Sequence, residues 1–415
     1  MTSLAYGESR PLVGVRVEGK TKVTETTATR LSRVELGTAV DEAMLPQIEA
    51  ALISSELFKT ATAKLEEAPG GYILVVTLDD KLSWIVAPTV YVLPHTWAVG
   101  AGFAENNLFG AEKKLLLYGQ GGNVTSLFFG TYFDPAVRGS PLQLRFDLYL
   151  LHRVVDEYDN DPALPTTYTI DRTSTLTFLD AGLLVGWRFY WWLIADVRFK
   201  PSYARYTDYG AVAPDKDGWD VSVQNRLTLD RRQHHHGVTW GPFAQLMFET
   251  SVPGLDSYGY QLVWLRTYYS WRFFREHELE IRLQGNLGRH LPFHEEVTLG
   301  AAQDLRGYPV DMFRGDRRAT ARLEYSVPIV KWKMFAFRGI GFWDGGYVGF
   351  SWRDPSHRDY LPTQTDGSYW IRNDLGVGLR LYVGSVVLPL LGLDVAYGIE
   401  GRHAEFYFEI GLTDF

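Results

Sequence analysis

The chain has 415 residues, no cysteine and a formal net charge of −8, from 41 basic and 49 acidic residues. That length suits two or three ordinary domains, or one large barrel with a small domain. The lack of cysteine excludes disulfides and thiolate chemistry, and the absence of a dominant basic stripe argues against nucleic acid as the main partner. Aromatic residues make up 14% of the chain. Such a share is typical of barrels with aromatic girdles at membrane interfaces, and a large soluble β-protein is the alternative.

Neither a transmembrane helix nor a signal peptide is predicted. The sequence contains no run of 18 apolar residues. Residues 1–10, predicted as an N-terminal tail, lack the basic region and the apolar core of a signal peptide. If the protein is exported, we expect its signal to have been removed.

Residues 11–80 predict a small α+β domain with the order β-α-α-β-β. A strand beginning at Leu12 is expected to end at Gly19, and a helix follows over residues 24–31. Asp41 can cap a second helix that is expected to run through Leu57. Two strands around a Pro-Gly-Gly turn then predict a hairpin that completes the domain.

From about Lys81 onward, the helical period disappears and segments of about ten alternating residues recur. The clearest examples cover residues 221–230, 279–287, 319–327 and 405–412. Charged residues as bulky as these do not suit a dry core, so the polar faces are expected to line a wet lumen and the apolar faces to meet lipid. The alternative is that the polar faces of the strands meet ordinary solvent, as they do on the outside of a soluble β-sandwich.

The length of this region suits a barrel of 16 strands. Residues 82–415 allow about 21 residues for each strand with its turn, which fits membrane strands of about 10 residues. A lumen of this width cannot be filled by strand side chains alone, so a plug is expected. The predicted plug is an inward-folded loop around residues 301–318.

One arginine and two acids predict how this loop is held. Arg306 lies in a Gly/Pro-punctuated loop, and Glu324 and Asp344 each stand in a following strand among apolar neighbours. A charge in such a strand must face water or a partner. A guanidinium can bind two carboxylates at once, so we expect Arg306 to pair with both.

Eight short motifs occur in order along the chain. They are VEGKTK (17–22), SELFK (55–59), ENNLFG (105–110), FDP (133–135), LRGY (305–308), LEYSVP (323–328), FWDGG (342–346) and a terminal Phe415 after FYFEIG. In this order they resemble the motifs of the BamA-type outer-membrane assembly superfamily, also known as the bacterial surface antigen family. Its members combine POTRA modules with a 16-stranded barrel, and this chain resembles a short member with one POTRA domain at 11–80 and a barrel at 81–415.

The resemblance implies a protein in the bacterial outer membrane, with its POTRA domain in the periplasm. The implied activity is the insertion or translocation of polypeptides without ATP. Its partners would be unfolded outer-membrane or secreted polypeptides, the lipid bilayer, and accessory periplasmic or lipoprotein subunits. A dedicated secretion pore for one partner, or a passive structural barrel, are the alternatives.

Two groups of residues are the candidate sites. The first is a loop-lock of Arg306 with its two acids, in which Gly307 and Tyr308 shape the loop tip, and Gly345 and Gly346 relieve crowding where the loop meets the wall. Simple barrel stabilisation and turn chemistry are the alternative readings of this group.

The second group is a lateral seam between the first strand, near 83–92, and the last, 405–415. Pro88 removes a ladder donor and Gly411 weakens pairing next to the terminal Phe415. A weak seam could open and pair with an incoming strand. A short, irregular closing strand without a function is the alternative.

No residues predict an enzyme or a cofactor site. Neither a Ser/His/Asp arrangement nor a phosphate-binding loop stands out. Three adjacent histidines (234–236) are interpreted as a solvated hairpin connection, because neighbouring side chains in a strand point to opposite faces.

Overall fold

The computed structural model describes residues 8–93, 96–160, 168–235, 238–274, 276–300, 304–333, 335–350, 371–383 and 389–410. Within these ranges the chain forms a small N-terminal α+β domain followed by a closed antiparallel barrel. No helix in them is both long enough and apolar enough to span a membrane.

The N-terminal domain is a four-stranded sheet covered by two helices. Its elements are β1 (Arg10–Lys20), α1 (Glu25–Leu31), β2 (Ala39–Val40), α2 (Leu45–Ser54), β3 (Phe58–Ala68) and β4 (Gly71–Asp80). The strand order is β2-β1-β4-β3, with β1 and β4 parallel. Leu12, Leu52 and Leu74 are nearly inaccessible to solvent in the core between sheet and helices.

Three details of this domain differ from the sequence prediction. Strand β1 does not end at Gly19 but continues to Lys20, with Gly19 in the left-handed region at φ +96°. The second helix ends at Ser54 rather than Leu57, because Glu56 turns the chain with φ +61°. The two-residue strand β2 was not predicted.

The barrel consists of sixteen strands in the described part of the chain, as predicted. The remaining elements are β5 (Trp84–Leu93), β6 (Thr96–Leu108), β7 (Lys113–Gly122), β8 (Thr125–Asp134), β9 (Leu142–Asn160), β10 (Tyr168–Tyr190), β11 (Leu193–Thr207), β12 (Gly218–Asp230), β13 (Gln233–His235), β14 (Val238–Ser251), β15 (Gln261–Phe273), β16 (His277–Arg289), β17 (Val297–Leu299), β18 (Phe313–Gly315), β19 (Arg317–Trp332), β20 (Phe335–Gly349), β21 (Ile371–Val383), β22 (Pro389–Gly398) and β23 (His403–Ile410).

Three of these strands stand outside the sixteen. Strand β13, which carries His234 and His235, pairs only with β14 and forms the predicted hairpin connection; His236 lies outside the described residues. Strands β17 and β18 pair with each other in a separate sheet.

Alternation along the strands puts apolar side chains outside the barrel and charged ones inside. On β6, Trp97 and Val99 are 52% and 53% exposed on the outer face, and Ala98 between them is buried. On β11, Val197 and Phe199 face outward while Arg198 is buried within the barrel. An apolar exterior over a charged lumen is the arrangement that a bilayer requires.

The N-terminal domain packs against the turns at one end of the barrel, here called the near end. Arg30 forms an ion pair with Glu112 in the β6–β7 turn (2.5 Å), and the Arg33 guanidinium lies 3.8 Å from the Trp191 ring centroid in the β10–β11 turn. Gly110 has φ +69°, and a Cβ there would lie 1.9 Å from the carbonyl oxygen of Lys22. Only glycine fits this contact. Because antiparallel strands alternate in direction, the β16–β19 connection lies at the opposite, far end.

Candidate functional site

The segments 290–300 and 304–316, here together called the lumenal loop, fold from the far end into the barrel. The two limbs pair as β17 and β18. Arg314 on β18 donates hydrogen bonds to the Phe293 carbonyl (2.7 Å) and to the Glu296 carboxylate (3.1 Å) of the other limb. Leu299 and Leu305 are fully buried in a core between the limbs and the wall. The two limbs are therefore packed on each other.

Arg306 at the tip of this loop is completely buried and contacts three carboxylates on the barrel wall. Its Nε and Nη2 bind the two oxygens of Asp344 at 2.7 and 2.9 Å. Its Nη1 lies 3.1 Å from Glu324 and 3.5 Å from Asp394. The guanidinium also stacks on Phe342, with 3.2 Å between Cζ and the ring centroid. The structure thus brings the three sequence-predicted residues together and adds Asp394.

Two wall arginines balance the charge of this cluster. Arg322 donates to Asp344 (3.2 Å), and Arg380 binds Asp394 through both terminal nitrogens (2.6 and 2.8 Å). Three cations therefore face three carboxylates, which limits the penalty of burying them. Sequence reasoning missed Asp394, although it stands as a lone acid in the alternating segment LGLDVAYG (391–398).

Gly307 lies against the wall more closely than any side chain would allow. Its N–H donates to Asp374 on β21 at 2.7 Å. A Cβ at this position would lie 2.6 Å both from the Asp374 Cβ and from the Gly398 backbone nitrogen. The glycine therefore permits the backbone itself to dock.

Tyr308 connects the loop tip to the last two strands. Its hydroxyl donates to Glu400 (2.7 Å), and its backbone carbonyl accepts a 3.1 Å hydrogen bond from the hydroxyl of Tyr407 on β23. Its ring meets His403 edge-on at 5.4 Å. Sequence reasoning had no signal for Tyr407, which is one of 24 tyrosines.

Gly345 and Gly346 have different surroundings. A Cβ on Gly346 would lie 2.8 Å from the side chain of Leu299 in the lumenal loop. A Cβ on Gly345, for which the same role was predicted, would instead meet Trp343 and Asn373. Room for the loop is thus made by Gly346.

The barrel closes where β23 meets β5, here called the seam. Through Ile410, where the described residues end, the strands pair at three positions (408–410 with 90–92), whereas β22 and β23 pair at eight. Pro88 lies on β5 with its side chain exposed on the outer face. Gly411 and Phe415, the other residues predicted for the seam, lie outside the described residues.

A cavity of about 1050 Å³, here called the vestibule, occupies the lumen between the N-terminal domain and the lumenal loop. At the near end it is lined by 55–57 and 81–83, and at the other by 294–298. The vestibule therefore begins at the N-terminal domain and ends beneath the loop.

Two walls of the vestibule differ in character. Apolar side chains of β5–β8 line one wall together with Lys114 and Thr131, while β9–β12 contribute ion pairs such as Arg198 with Asp147 and Asp180 (3.3 and 2.7 Å). The apolar wall comprises Ile85, Ala104, Leu116, Phe129 and Phe133. It lies directly beside the seam, because β5 is a seam strand.

Glu56 stands at the mouth of the vestibule, in the N-terminal domain. Burial raises the pKa of its carboxyl, and the nearby ammonium groups of Lys81 and Lys114 act in the opposite direction. The carboxyl therefore retains its proton to a higher pH than an exposed glutamate.

Comparison with protein-family models matches residues 107–413 to the Omp85 superfamily domain. The chain belongs to the Omp85 superfamily. This membership agrees with the resemblance found in the sequence and makes the barrel an outer-membrane barrel of a superfamily that inserts or translocates polypeptides. Comparison with curated protein sequences gives no significant match.

Solved structures share the fold of this Omp85 protein at low sequence identity. BamA from Haemophilus ducreyi lacking POTRA domains 1–3 has a TM-score of 0.60 and 14% identity over 96% of this chain and 84% of that one. CdiB from Acinetobacter baumannii has a TM-score of 0.62 and 15% identity over 97% and 74%. CdiB from Escherichia coli has a TM-score of 0.58 and 11% identity over 99% and 92%.

Proposed function

We propose that this chain inserts polypeptides into the outer membrane through the seam between β23 and β5. The vestibule is the observation that carries this proposal, since it extends from the N-terminal domain to the lumenal face of β5, one of the two seam strands. A polypeptide in the vestibule would have an apolar wall on one side and a charged wall on the other. An alternating segment would match both walls at once.

The N-terminal domain is proposed to be a POTRA domain in the periplasm that receives the polypeptide by strand addition. Strand β3 is an edge strand of its sheet, with β4 as its neighbour. An edge strand has unpaired backbone groups that an extended segment can use. Residues 55–57, just before β3, line the vestibule, so a segment added there would lie next to the lumen.

The lumenal loop is proposed to keep the lumen closed while the seam opens. Arg306, Gly307 and Tyr308 hold the loop against β19–β23 through the contacts described above. Loss of the Arg306 contacts should therefore loosen the loop and lower activity.

Reconstitution in liposomes tests insertion. A urea-unfolded small barrel protein would be added, and its folding timed with and without a disulfide between cysteines placed at Val92 and Phe408, which are paired across the seam. We expect faster folding that the oxidised disulfide abolishes and a reductant restores. The matched control is a disulfide between Val90 and Val99, across the other edge of β5, which should leave the acceleration intact.

A dedicated secretion pore is the second candidate, favoured by the position of the lumenal loop at the closed end of the vestibule. Deletion of the loop from a pore should raise its ionic conductance sharply, and the seam disulfide should leave transport unchanged. A passive structural barrel should neither accelerate folding nor transport a polypeptide.

A further inference from the structure

The first half of the lumenal loop contacts a part of the wall far from Arg306. The loop begins with a short 3-10 helix, Phe293–Glu295, beside β11. The Glu295 carboxylate lies 2.7 Å from the ammonium of Lys200 on β11. The Lys200 side chain is only 5% exposed. The Coulomb attraction in a pair this well shielded from water is larger than in a surface pair, and removal of one partner leaves the other charge buried and uncompensated.

The wall holds Lys200 in place from several positions. Its ammonium lies 2.9 Å from Glu249 on β14 and 3.7 Å from Asp220 on β12. The hydroxyl of Tyr260, next to the first residue of β15, lies 2.8 Å from the Glu249 carboxylate and 3.0 Å from that of Asp220, and can donate its hydrogen to either. The wall side of this contact is therefore ordered by its own hydrogen bonds.

His294 and Phe293 add to the same attachment. His294 bridges Asp220 (3.0 Å) and the hydroxyl of Tyr206 (2.7 Å). Phe293 is 3% exposed in a cluster that includes Val155 of β9. Four strands, β9, β11, β12 and β14, and Tyr260 next to β15 thus contact one turn of helix in the loop or the side chains that hold it.

Lys200 provides the positive charge that balances the carboxylates between the loop and the wall. One ammonium faces three carboxylates, those of Asp220, Glu249 and Glu295. Asp220, His294 and Glu295 could also surround a metal ion, but the ammonium of Lys200 already lies among their oxygens. Without it, Glu295 of the loop would either stand charged beside two carboxylates in a poorly solvated site or take up a proton, and in both cases the ionic attachment of the loop to the wall would be lost.

We infer that Lys200 is a positioning residue that fixes the lumenal loop at a second point, so that release of Arg306 alone does not clear the lumen. Arg306 attaches the loop tip to β19–β22 and Tyr308 attaches it to β23, whereas Lys200 attaches the loop's beginning to the wall formed by β11–β15. Each attachment therefore restrains the part of the loop that carries it. The inference rests on the proposed function in that the loop is taken as the element that closes the lumen.

The test uses single-cysteine reporters in the full-length protein, which has no cysteine of its own. Val297→Cys reports on the beginning of the loop and Met312→Cys on its second half; the original side chains are 8% and 3% exposed. The rate of maleimide labelling in detergent or liposomes would be measured in Glu295→Gln, which leaves Lys200 paired with Glu249, and in Lys200→Met. Lys200→Arg is the conservative variant, and Asp196→Asn, which removes a lumenal ion pair with Arg226, is the matched control.

Loss of a buried pair partner should raise labelling at position 297 roughly 100-fold in Glu295→Gln and in Lys200→Met. Lys200→Arg and Asp196→Asn should stay close to the starting protein. Arg306→Ala should raise labelling at 312 but not at 297, and only Arg306→Ala combined with Glu295→Gln should give a large conductance in planar bilayers. Labelling at 297 that is unchanged by Glu295→Gln, or that rises fully in Arg306→Ala alone, would overturn the inference.

These readouts do not depend on whether the protein catalyses folding. If the protein does not accelerate folding but labelling at 297 and at 312 responds separately to Glu295→Gln and to Arg306→Ala, only the proposed function is contradicted. If the protein accelerates folding but Arg306→Ala alone exposes both positions, only the role of Lys200 is contradicted.

Discussion

The hydroxyl of Tyr407, on the last strand, donates a 3.1 Å hydrogen bond to the backbone carbonyl of Tyr308, at the tip of the lumenal loop. The side chain of Tyr407 is buried, with 2% of the residue exposed. Its strand β23 pairs with β22 along one edge and forms the seam with β5 along the other. If the seam opens as proposed by a movement of β23, that movement would stretch or break this contact. The proposed opening of the seam would then be coupled to the position of the loop through these two residues.

Tyr407→Phe should loosen β23. The substitution keeps the ring but leaves a buried carbonyl without this donor, which typically costs about 1–3 kcal/mol. Hydrogen exchange measured by mass spectrometry should therefore be faster over 403–410 and unchanged over β12. Tyr397→Phe is the control, because Tyr397 on β22 is 48% exposed. Equal exchange in both variants would contradict the coupling.

Gly307→Ala should prevent the loop tip from docking. The added methyl group would lie 2.6 Å from backbone and side-chain atoms of the wall, and overpacking of this kind costs about 1–3 kcal/mol. We expect a lower midpoint of thermal unfolding and faster protease cleavage within 304–316. Gly341→Ala on β20 is the control, since no atom lies within 4 Å of a Cβ there. If Gly307→Ala has the same unfolding midpoint as the control, the wall can shift to accommodate the added methyl group, and the prediction is wrong.

Arg306→Lys should fail to replace arginine, because an ammonium cannot bind both oxygens of Asp344 while it also reaches Glu324. Arg306→Ala should lose more, about 3–5 kcal/mol for a buried charge cluster deprived of one partner. Protease resistance of the loop and folding activity in liposomes should fall together in both variants. Arg289→Ala, an exposed arginine at the base of the loop, should change neither. Wild-type resistance and activity in Arg306→Ala would rule out the proposed role of the loop.

Arg30→Glu should release the N-terminal domain from the near end. The change places two acids together at a contact that now forms a 2.5 Å ion pair with Glu112. Limited proteolysis should then cut faster at 81–83, between β4 and β5. The double variant Arg30→Glu with Glu112→Arg should restore protection, since it re-forms the pair in the opposite sense. Equal cleavage in all three proteins would show that other contacts, such as Arg33 on Trp191, suffice.

Most of the barrel could be predicted from the strong alternation of apolar and charged residues. Few folds other than a membrane barrel accommodate strands with one apolar face and one charged face. The Arg306 contacts were predictable for a related reason: isolated charges in apolar strands need partners. The attachment at Lys200 was not predictable, because Asp220, Glu249 and Tyr260 are far apart in the sequence and resemble other lumenal residues. Asp394 and Tyr407 were missed because nothing local relates them to the loop, which reaches them only after the barrel has closed.

The described part of the lumenal loop lies across the end of the vestibule that faces away from the N-terminal domain. If the protein acts as proposed, a polypeptide chain that enters beside the N-terminal domain would meet the loop, and every residue that enters would have to remain, return or leave sideways between two strands. The length that can accumulate is therefore limited by the volume of the cavity rather than by the affinity of any one contact. An unfolded chain would have to be processed in short portions, each of which vacates the lumen before the next can enter.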